Sequence, residues 1–270
     1  MTMETEIFRH NAFVDPALHV WGWQIAVYLF LGGLSAGVMI LAGMLRGQSR
    51  AARLLIFIAP LALSAGMLAL FVDLEQKLHV FRFYTAFRIT SPMSWGAWIL
   101  LAIYPATILY GWRPAETLRR INIGLGMALG AYTGVLLATL TARAAWSSLF
   151  LAPLFLVSGF STAAALTMLL PLTEDERDRV RKWDLVAIGL EVLVLGFFFL
   201  DLRDGAGLFF GGPFTAVFWL LVVISGLLLP ALLEGFEWRR RMHVAIAPAL
   251  VLIGGLALRW IFVLAGQTSI

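Results

Sequence analysis

The stretch YLFLGGLSAG, Tyr28 to Gly37, lies near the start of the first long apolar segment of the chain. Gly33 and Gly37 form a G-x-x-x-G pair, and Gly32 and Ala36 form a second pair of small residues beside it. Small residues four apart let the backbone of a second helix approach closely inside a bilayer. This stretch therefore predicts a membrane helix that packs tightly against its neighbours.

The start of the same helix carries a polar and aromatic stripe. Trp21, Gln24 and Tyr28 are spaced i, i+3, i+7, so they share one side of a helix. Polar groups on a membrane helix are costly unless they line a site enclosed by protein. Two interpretations stay open: a stripe that lines a site, and a packing helix with interfacial aromatic residues.

Composition sets the class of protein. Apolar residues make up 61% of the chain, charged residues 13%, and the mean hydropathy is +0.89. Soluble domains average about 45–50% apolar and about 25% charged. We therefore predict an all-α integral membrane protein. The segment before Trp21 lacks a basic start followed by an apolar core, so we expect no cleavable signal peptide.

Eight apolar segments are long enough to cross a bilayer, which requires roughly 20 residues. We predict eight transmembrane helices in a single membrane domain over residues 1–270, with an N-terminal segment at 1–19. The approximate spans are 20–45, 54–75, 93–111, 120–141, 147–170, 183–201, 214–234 and 243–265.

Basic residues predict the orientation of these spans. The four odd-numbered connections hold thirteen Lys and Arg residues, and the opposite side holds six. Lys and Arg concentrate in cytoplasmic loops of membrane proteins. We therefore expect the odd connections in the cytoplasm, and both termini and the 76–92 loop on the non-cytoplasmic side.

Polar residues gather at the predicted non-cytoplasmic ends of helices 1, 2 and 4. They are Gln24, Tyr28, Asp73, Glu75, Tyr132, Thr139 and Arg143. A quinone pocket needs an apolar slot, donors for the carbonyl oxygens and a proton source. Phenols can donate, and a carboxyl can relay protons. We predict Tyr28, Tyr132 and Asp73 as the reactive set, with Gln24, Thr139 and Arg143 lining the slot. The alternatives are interfacial tyrosines and solvated helix ends.

A second set of charged residues lies inside the spans. Glu191 is near the middle of span 6, Asp184 is seven residues earlier on the same side, and Arg259 is inside the last span. A carboxylate at that depth is a functional hypothesis by default. We predict a proton relay through these three residues and Glu75. The alternative is a protonated or arginine-paired structural carboxylate.

Metal redox centres are not expected in this chain. It has no cysteine, which excludes cysteine-ligated iron–sulfur clusters. A membrane haem commonly needs two histidines at matching depth on facing helices. The four histidines are His10, His19, His79 and His243, and they form no such pair.

Three stretches together resemble the polysulfide-reductase membrane-subunit family, also called the NrfD/PsrC family. They are YLFLGGLSAG at 28–37, RFYTAFRITSPMSWGAW at 82–98 and ALRWIFVLAGQ at 257–267. The resemblance covers essentially the whole chain. It implies an eight-helix subunit in the bacterial or archaeal cytoplasmic membrane that binds menaquinone or ubiquinone. It also implies a docked ferredoxin-like iron–sulfur subunit, usually connected to a molybdopterin enzyme.

The resemblance also implies roles for single residues. Tyr132 looks like the quinone-facing tyrosine of the family, and Asp73 looks like its acidic end of helix 2. Tyr28 stands where some members have a histidine. Partner docking is expected on the long loop, since such loops in compact domains are usually functional. The predicted docking residues are Lys77, His79, Arg82 and Arg88, together with 201–204.

Three functions remain open from the sequence. The first is a quinone-reactive subunit of a polysulfide- or thiosulfate-reductase-like complex, exchanging electrons with a periplasmic iron–sulfur subunit and coupling this to proton transfer. The second is a proton-coupled secondary transporter, although such proteins favour internal repeats and none is visible. The third is a passive anchor for an electron-transfer partner.

Overall fold

The computed structural model describes residues 21–46, 49–73, 92–139, 143–240 and 245–268. Within these ranges the chain has no strand, and eight helices are long and apolar enough to cross a membrane. They are α1 (Trp23–Met44), α2 (Arg50–Asp73), α3 (Pro92–Trp112), α4 (Glu116–Ala138), α5 (Leu151–Met168), α6 (Glu174–Leu202), α7 (Thr215–Arg240) and α8 (Ile246–Thr268). The prediction of an all-α membrane protein with eight spanning helices is confirmed.

Helix α6 begins at Glu174, well before the predicted start of the span near residue 183. The Thr173 hydroxyl accepts a hydrogen bond from the Glu176 amide, and the Glu176 carboxylate accepts one from the Thr173 amide. This reciprocal capping starts a helix before the apolar segment begins. Because the first turn of α6 is polar, hydropathy alone does not predict that the helix begins there.

Helix α7 is irregular in its middle. Residues Phe218–Leu228 form a π-helix between two α-helical ends. π-Helices are rare, and short π-helical segments often occur at functional sites. Gly226 of this stretch packs against Gly254 of α8 so closely that a methyl group on Gly226 would lie 2.8 Å from the Gly254 Cα.

Helix α1 is the centre of the bundle. In the most apolar stretch of α1, 83% of the residues are buried, whereas the corresponding share in α7 is 28%. Helix α1 contacts α2, α4, α5 and α8. Gly33 and Gly37 pack on Gly159 of α5, and a methyl on Gly159 would lie 2.6 Å from the Gly33 carbonyl oxygen. The tight packing predicted for this motif is confirmed.

Consecutive helices run in opposite directions. Gly32 of α1 contacts Thr133 near the end of α4, and Gly43 lies beside Ile123 near its start. We call the end of the bundle where α1, α3, α5 and α7 begin the Trp23 face, and the opposite end the Met44 face.

Replacing Gly159 by Ala is expected to lower the free energy of unfolding by about 1–3 kcal/mol, because the new methyl overpacks the α1–α5 contact. The effect is opposed by the roughly 1 kcal/mol by which Ala favours a helix over Gly. Gly189→Ala on α6 is the matched control, since no atom lies within 4 Å of its added methyl. Thermal unfolding in detergent, followed by tryptophan fluorescence, measures both. Equal stability of the two variants would contradict the close contact.

Candidate functional site

The two tyrosines of the predicted reactive set lie at a similar depth below the Trp23 face. Tyr28 is in the second turn of α1, and Tyr132 is in the last turns of α4. At 1.5 Å per residue, Tyr28 is about 7.5 Å and Tyr132 about 9 Å from the end of its helix. Both side chains are buried, whereas Asp73, the last residue of α2, is partly exposed at the same face.

The phenol of Tyr132 lies directly over Gly96 of α3, and a methyl group on Gly96 would overlap its ring and hydroxyl. Within the described part of the chain, no group forms a hydrogen bond with the Tyr132 hydroxyl. Gln24 is partly buried, and its side-chain oxygen is buried without a hydrogen-bond partner among the described residues. A donor and an acceptor are therefore left for a ligand.

Thr139 and Arg143 make other contacts. The Thr139 hydroxyl donates to the Leu136 carbonyl at 2.8 Å, and the Arg143 guanidinium donates to the Gln267 carbonyl at 3.2 Å. Both stay predicted members of the site. The predicted residues Glu75, Lys77, His79, Arg82 and Arg88 lie outside the described residues.

Gln267, near the end of α8, is hydrogen-bonded to Trp21, just before α1, at the Trp23 face. Its side-chain oxygen accepts from the Trp21 amide, and its side-chain nitrogen donates to the Trp21 carbonyl, each at 2.9 Å. The Trp21 ring is 5.0 Å from the ring of Trp146, whose indole donates to the Phe262 carbonyl. This clamp holds the start of α1 against the end of α8.

A polar cluster occupies the middle of the bundle, away from the tyrosines. Arg259 is fully buried and donates to the Ser158 hydroxyl at 2.5 Å, the Phe155 carbonyl at 3.0 Å and the Gly255 carbonyl at 3.2 Å. Its guanidinium lies 3.2 Å from where a methyl on Gly33 would be. The glycine in the α1 motif therefore lets a buried cation approach the helix backbone.

Glu191 lies near this arginine. Its carboxyl is buried, and Glu191 and Ser158 line the same internal cavity, so Arg259 and Glu191 both lie beside Ser158. The pairing of Glu191 with Arg259 stays a prediction. A buried charge is tolerated when it is hydrogen-bonded, as Arg259 is.

Asp184 lies two turns further towards the Met44 face. Its carboxyl is fully buried and accepts a hydrogen bond from Ser161 at 2.7 Å. A small internal cavity lies beside Glu191. It is lined by Ser158, Ser161, Thr162, Glu191, Val222, Gly226, Leu227, Val251, Gly254 and Gly255.

Almost the whole chain matches a known protein family. The profile of the family described as polysulphide reductase, NrfD, matches residues 11–270. The chain belongs to the NrfD family. This confirms the resemblance that three short stretches indicated, and it agrees with a multi-pass membrane protein.

Relatives from three bacteria match this NrfD-family chain along nearly their full length. A polysulfide reductase polypeptide of Wolinella succinogenes is 29% identical, over 93% of this chain and 95% of the relative. Protein NrfD of Escherichia coli is 28% identical, over 93% and 96%. The NrfD homolog of Haemophilus influenzae is 24% identical, over 96% and 97%.

Sequence reasoning missed part of the polar cluster in this NrfD-family chain. Glu234 is fully buried, yet it closes the predicted span 214–234, where a carboxylate is ordinarily solvated. Ser158 and Ser161 are common residues in membrane helices and carry no charge. The spacing of these serines, one turn apart on α5, was the one available signal.

Proposed function

We propose that this chain is the quinone-reactive membrane subunit of a respiratory oxidoreductase complex. It exchanges electrons between the membrane quinone pool and a docked iron–sulfur subunit, with coupled proton transfer. The observation that supports this most directly is the Tyr132 phenol, which is buried over Gly96 without a hydrogen-bond partner among the described residues. This hydroxyl is therefore available to donate to a ligand.

The available groups fit a quinone. The Tyr132 hydroxyl can donate to a quinone carbonyl, and the Gln24 side-chain oxygen can accept from a quinol hydroxyl. Tyr28 supplies a second phenol at similar depth, and Asp73 at the rim can exchange protons with solvent. A bound quinone supplies two-electron, two-proton redox chemistry. Menaquinone and ubiquinone share the two carbonyls that this arrangement recognises.

The electrons must pass to a partner, because cysteine-ligated clusters cannot form in a chain without cysteine. We place the partner on the Trp23 face, where the candidate tyrosines lie, and assign this face to the periplasm from the distribution of Lys and Arg. The name of the Wolinella relative describes it as one polypeptide of polysulfide reductase, which supports membership of a larger enzyme. We propose a ferredoxin-like iron–sulfur subunit, with a molybdopterin catalytic subunit behind it.

Protons are proposed to reach this region through Asp184, Glu191 and Arg259. Arg259 is the last of these polar groups, and its guanidinium packs against Gly33. Gly33 is five residues from Tyr28 on α1. Five residues correspond to a rise of about 7.5 Å. The relay therefore ends close to the level of the candidate quinone site.

Replacing Gly96 by Ala tests the site, because the methyl displaces the Tyr132 phenol. We expect the affinity for a quinone-analogue inhibitor to fall at least about tenfold, the usual effect of one misplaced methyl in a pocket. Gly124→Ala on α4 is the control, since its methyl meets no atom within 4 Å. Titration of the purified complex with the inhibitor measures both. Unchanged affinity in Gly96→Ala would overturn the site.

A proton-coupled transporter is the second candidate. The internal cavity beside Glu191, next to the π-helical part of α7, favours it, since transporters place their sites near the midplane at irregular helices. Solute uptake by liposomes that contain this chain alone would support the transporter. Uptake equal to that of empty liposomes would exclude it for the solutes tested.

A further inference from the structure

We propose that Gln267 is a positioning residue for the candidate quinone site. It does not touch the quinone. It fixes the start of α1 and thereby holds Gln24, whose side-chain oxygen is proposed to accept from a quinol hydroxyl. The contacts of Gln267 are independent of the proposed function, whereas its effect on quinol binding rests on that function. Gln267 closes the stretch ALRWIFVLAGQ, and sequence reasoning gave it no role.

Helix α1 has no local device that fixes its start. Its N-cap residue is Gly22, which has no side chain to accept from the free amides of the first turn. No other described side chain caps the helix, and its first turn holds no acidic residue. Because the first turn carries backbone groups that a helix does not pair internally, the position of this turn depends on contacts with other parts of the chain.

Gln267 supplies such a contact from the other end of the chain. Trp21 precedes the N-cap, so its amide and carbonyl lie outside the hydrogen-bonded ladder of α1. The buried Gln267 carboxamide bonds to both of them, each at 2.9 Å. Its nitrogen also donates to the Val263 carbonyl at 3.4 Å. Both donors of the carboxamide are therefore used within the protein, so Gln267 supports the site and does not bind the ligand.

A second contact fixes the same residue through its ring. The Trp21 ring lies 5.0 Å from the ring of Trp146, and the buried Trp146 indole donates to the Phe262 carbonyl of α8 at 2.8 Å. A methyl group on Gly266 would overlap the Trp146 ring, so this glycine lets the indole pack against α8. The backbone and the ring of Trp21 are thus both held at the end of α8.

The position of Gln24 depends on this backbone. Gln24 is three residues after Trp21, and a methyl group on Gly22 would overlap its side-chain oxygen, so the side chain folds back over Gly22. That oxygen is buried without a hydrogen-bond partner in the described part of the chain. Since no such bond of its own fixes the oxygen, a shift of the backbone at Trp21 and Gly22 moves the acceptor.

The same residue also contacts the connection that follows α4. The Arg143 guanidinium donates to the Gln267 backbone carbonyl at 3.2 Å, and Arg143 is eleven residues after Tyr132. Gln267 therefore bonds to the segment before α1 and to the segment after α4. These two helices carry Gln24 and Tyr132, the acceptor and the donor of the proposed site.

Gln267→Leu tests the positioning role, because it removes the carboxamide and keeps an apolar side chain of similar size. We expect the KM for quinol to rise about five- to tenfold, the effect of one lost neutral hydrogen bond. The kcat should change less than about twofold, since an amide transfers no proton. Steady-state oxidation by the purified complex with an artificial electron acceptor measures both values. The substrate is the short-chain quinol, naphthoquinol or ubiquinol, that the unmodified complex oxidises faster.

Asn122→Leu is the matched control. Asn122 is also a buried carboxamide that bonds to α1, since it donates to the Met39 carbonyl at 3.1 Å and accepts from Thr107 at 3.0 Å. It lies in the half of the bundle near the Met44 face, so its loss should lower stability to a comparable extent and leave the KM unchanged. An equal rise of the KM in both variants would overturn the positioning role.

The remaining outcomes separate this role from the proposed function. An unchanged KM in Gln267→Leu, together with a reduced inhibitor affinity in Gly96→Ala, would overturn the positioning role alone. No change in either variant would overturn the quinone site as well.

Hydrogen exchange resolved to single amides of the unmodified protein covers the case in which Gln267→Leu fails to fold. The Trp21 amide is bonded to Gln267, whereas the Trp23 amide lies in the uncapped first turn. We expect the Trp21 amide to exchange at least about tenfold more slowly than the Trp23 amide. Equal exchange of the two amides would overturn the clamp, whether or not the complex binds quinone.

Discussion

Replacing Tyr132 by Phe is expected to lower quinone turnover by about 10²-fold while the complex still assembles. The hydroxyl is the donor that the proposed site offers to a quinone carbonyl. Because no described group bonds to it, its removal leaves no protein partner unsatisfied. The ring stays over Gly96, so packing is preserved. Quinone-dependent turnover of the purified complex, with the amount of assembled complex as reference, measures the effect.

Tyr110→Phe is the matched control for this experiment. The Tyr110 hydroxyl is also buried, but it donates to the Ala42 carbonyl at 3.4 Å in the half of the bundle near the Met44 face. We expect that variant to lose about 1 kcal/mol of stability and no turnover. Full turnover in Tyr132→Phe, or an equal loss in both variants, would remove Tyr132 from the reaction.

Replacing Arg259 by Met is expected to destabilise the chain by about 3–5 kcal/mol, enough to reduce the folded protein recovered from membranes. The change deprives the Phe155 and Gly255 carbonyls of a donor, and it leaves the buried Glu191 without the charge that compensates it. Arg259→Lys should rescue only in part, since one ammonium group cannot reproduce the fork of the guanidinium. Thermal unfolding of the purified variants measures the loss.

The double variant Arg259→Met, Glu191→Gln separates charge from packing. If the loss arises largely from an uncompensated carboxylate, a neutral amide at 191 should restore about 1–3 kcal/mol relative to Arg259→Met alone. Glu116→Gln in the same background serves as the control, since that carboxylate is exposed and on another helix. Additive effects of Arg259→Met and Glu191→Gln would contradict an electrostatic coupling between the two residues.

Much of the fold could be predicted from the pattern of apolar residues. Eight apolar segments of sufficient length predicted eight helices, because a helix pairs all the backbone polar groups that a bilayer cannot hydrogen-bond. The small residues Gly33 and Gly37 marked the helix at the centre. Alternating spans also placed Tyr28, Tyr132 and Asp73 towards one face, since the depth of a residue follows from counting along its helix.

The sequence by itself therefore determined which segments are helices and how deep each polar residue lies. Only the tertiary structure decided which helices are neighbours and which side chains meet across them. It joined Asp184 to Ser161 and Arg259 to Ser158 across helices. The physical reason is that membrane helices are apolar towards lipid and towards protein alike, so hydropathy does not report the rotation of a helix about its axis. That rotation is decided by close packing at small residues, as at Gly33 and Gly159.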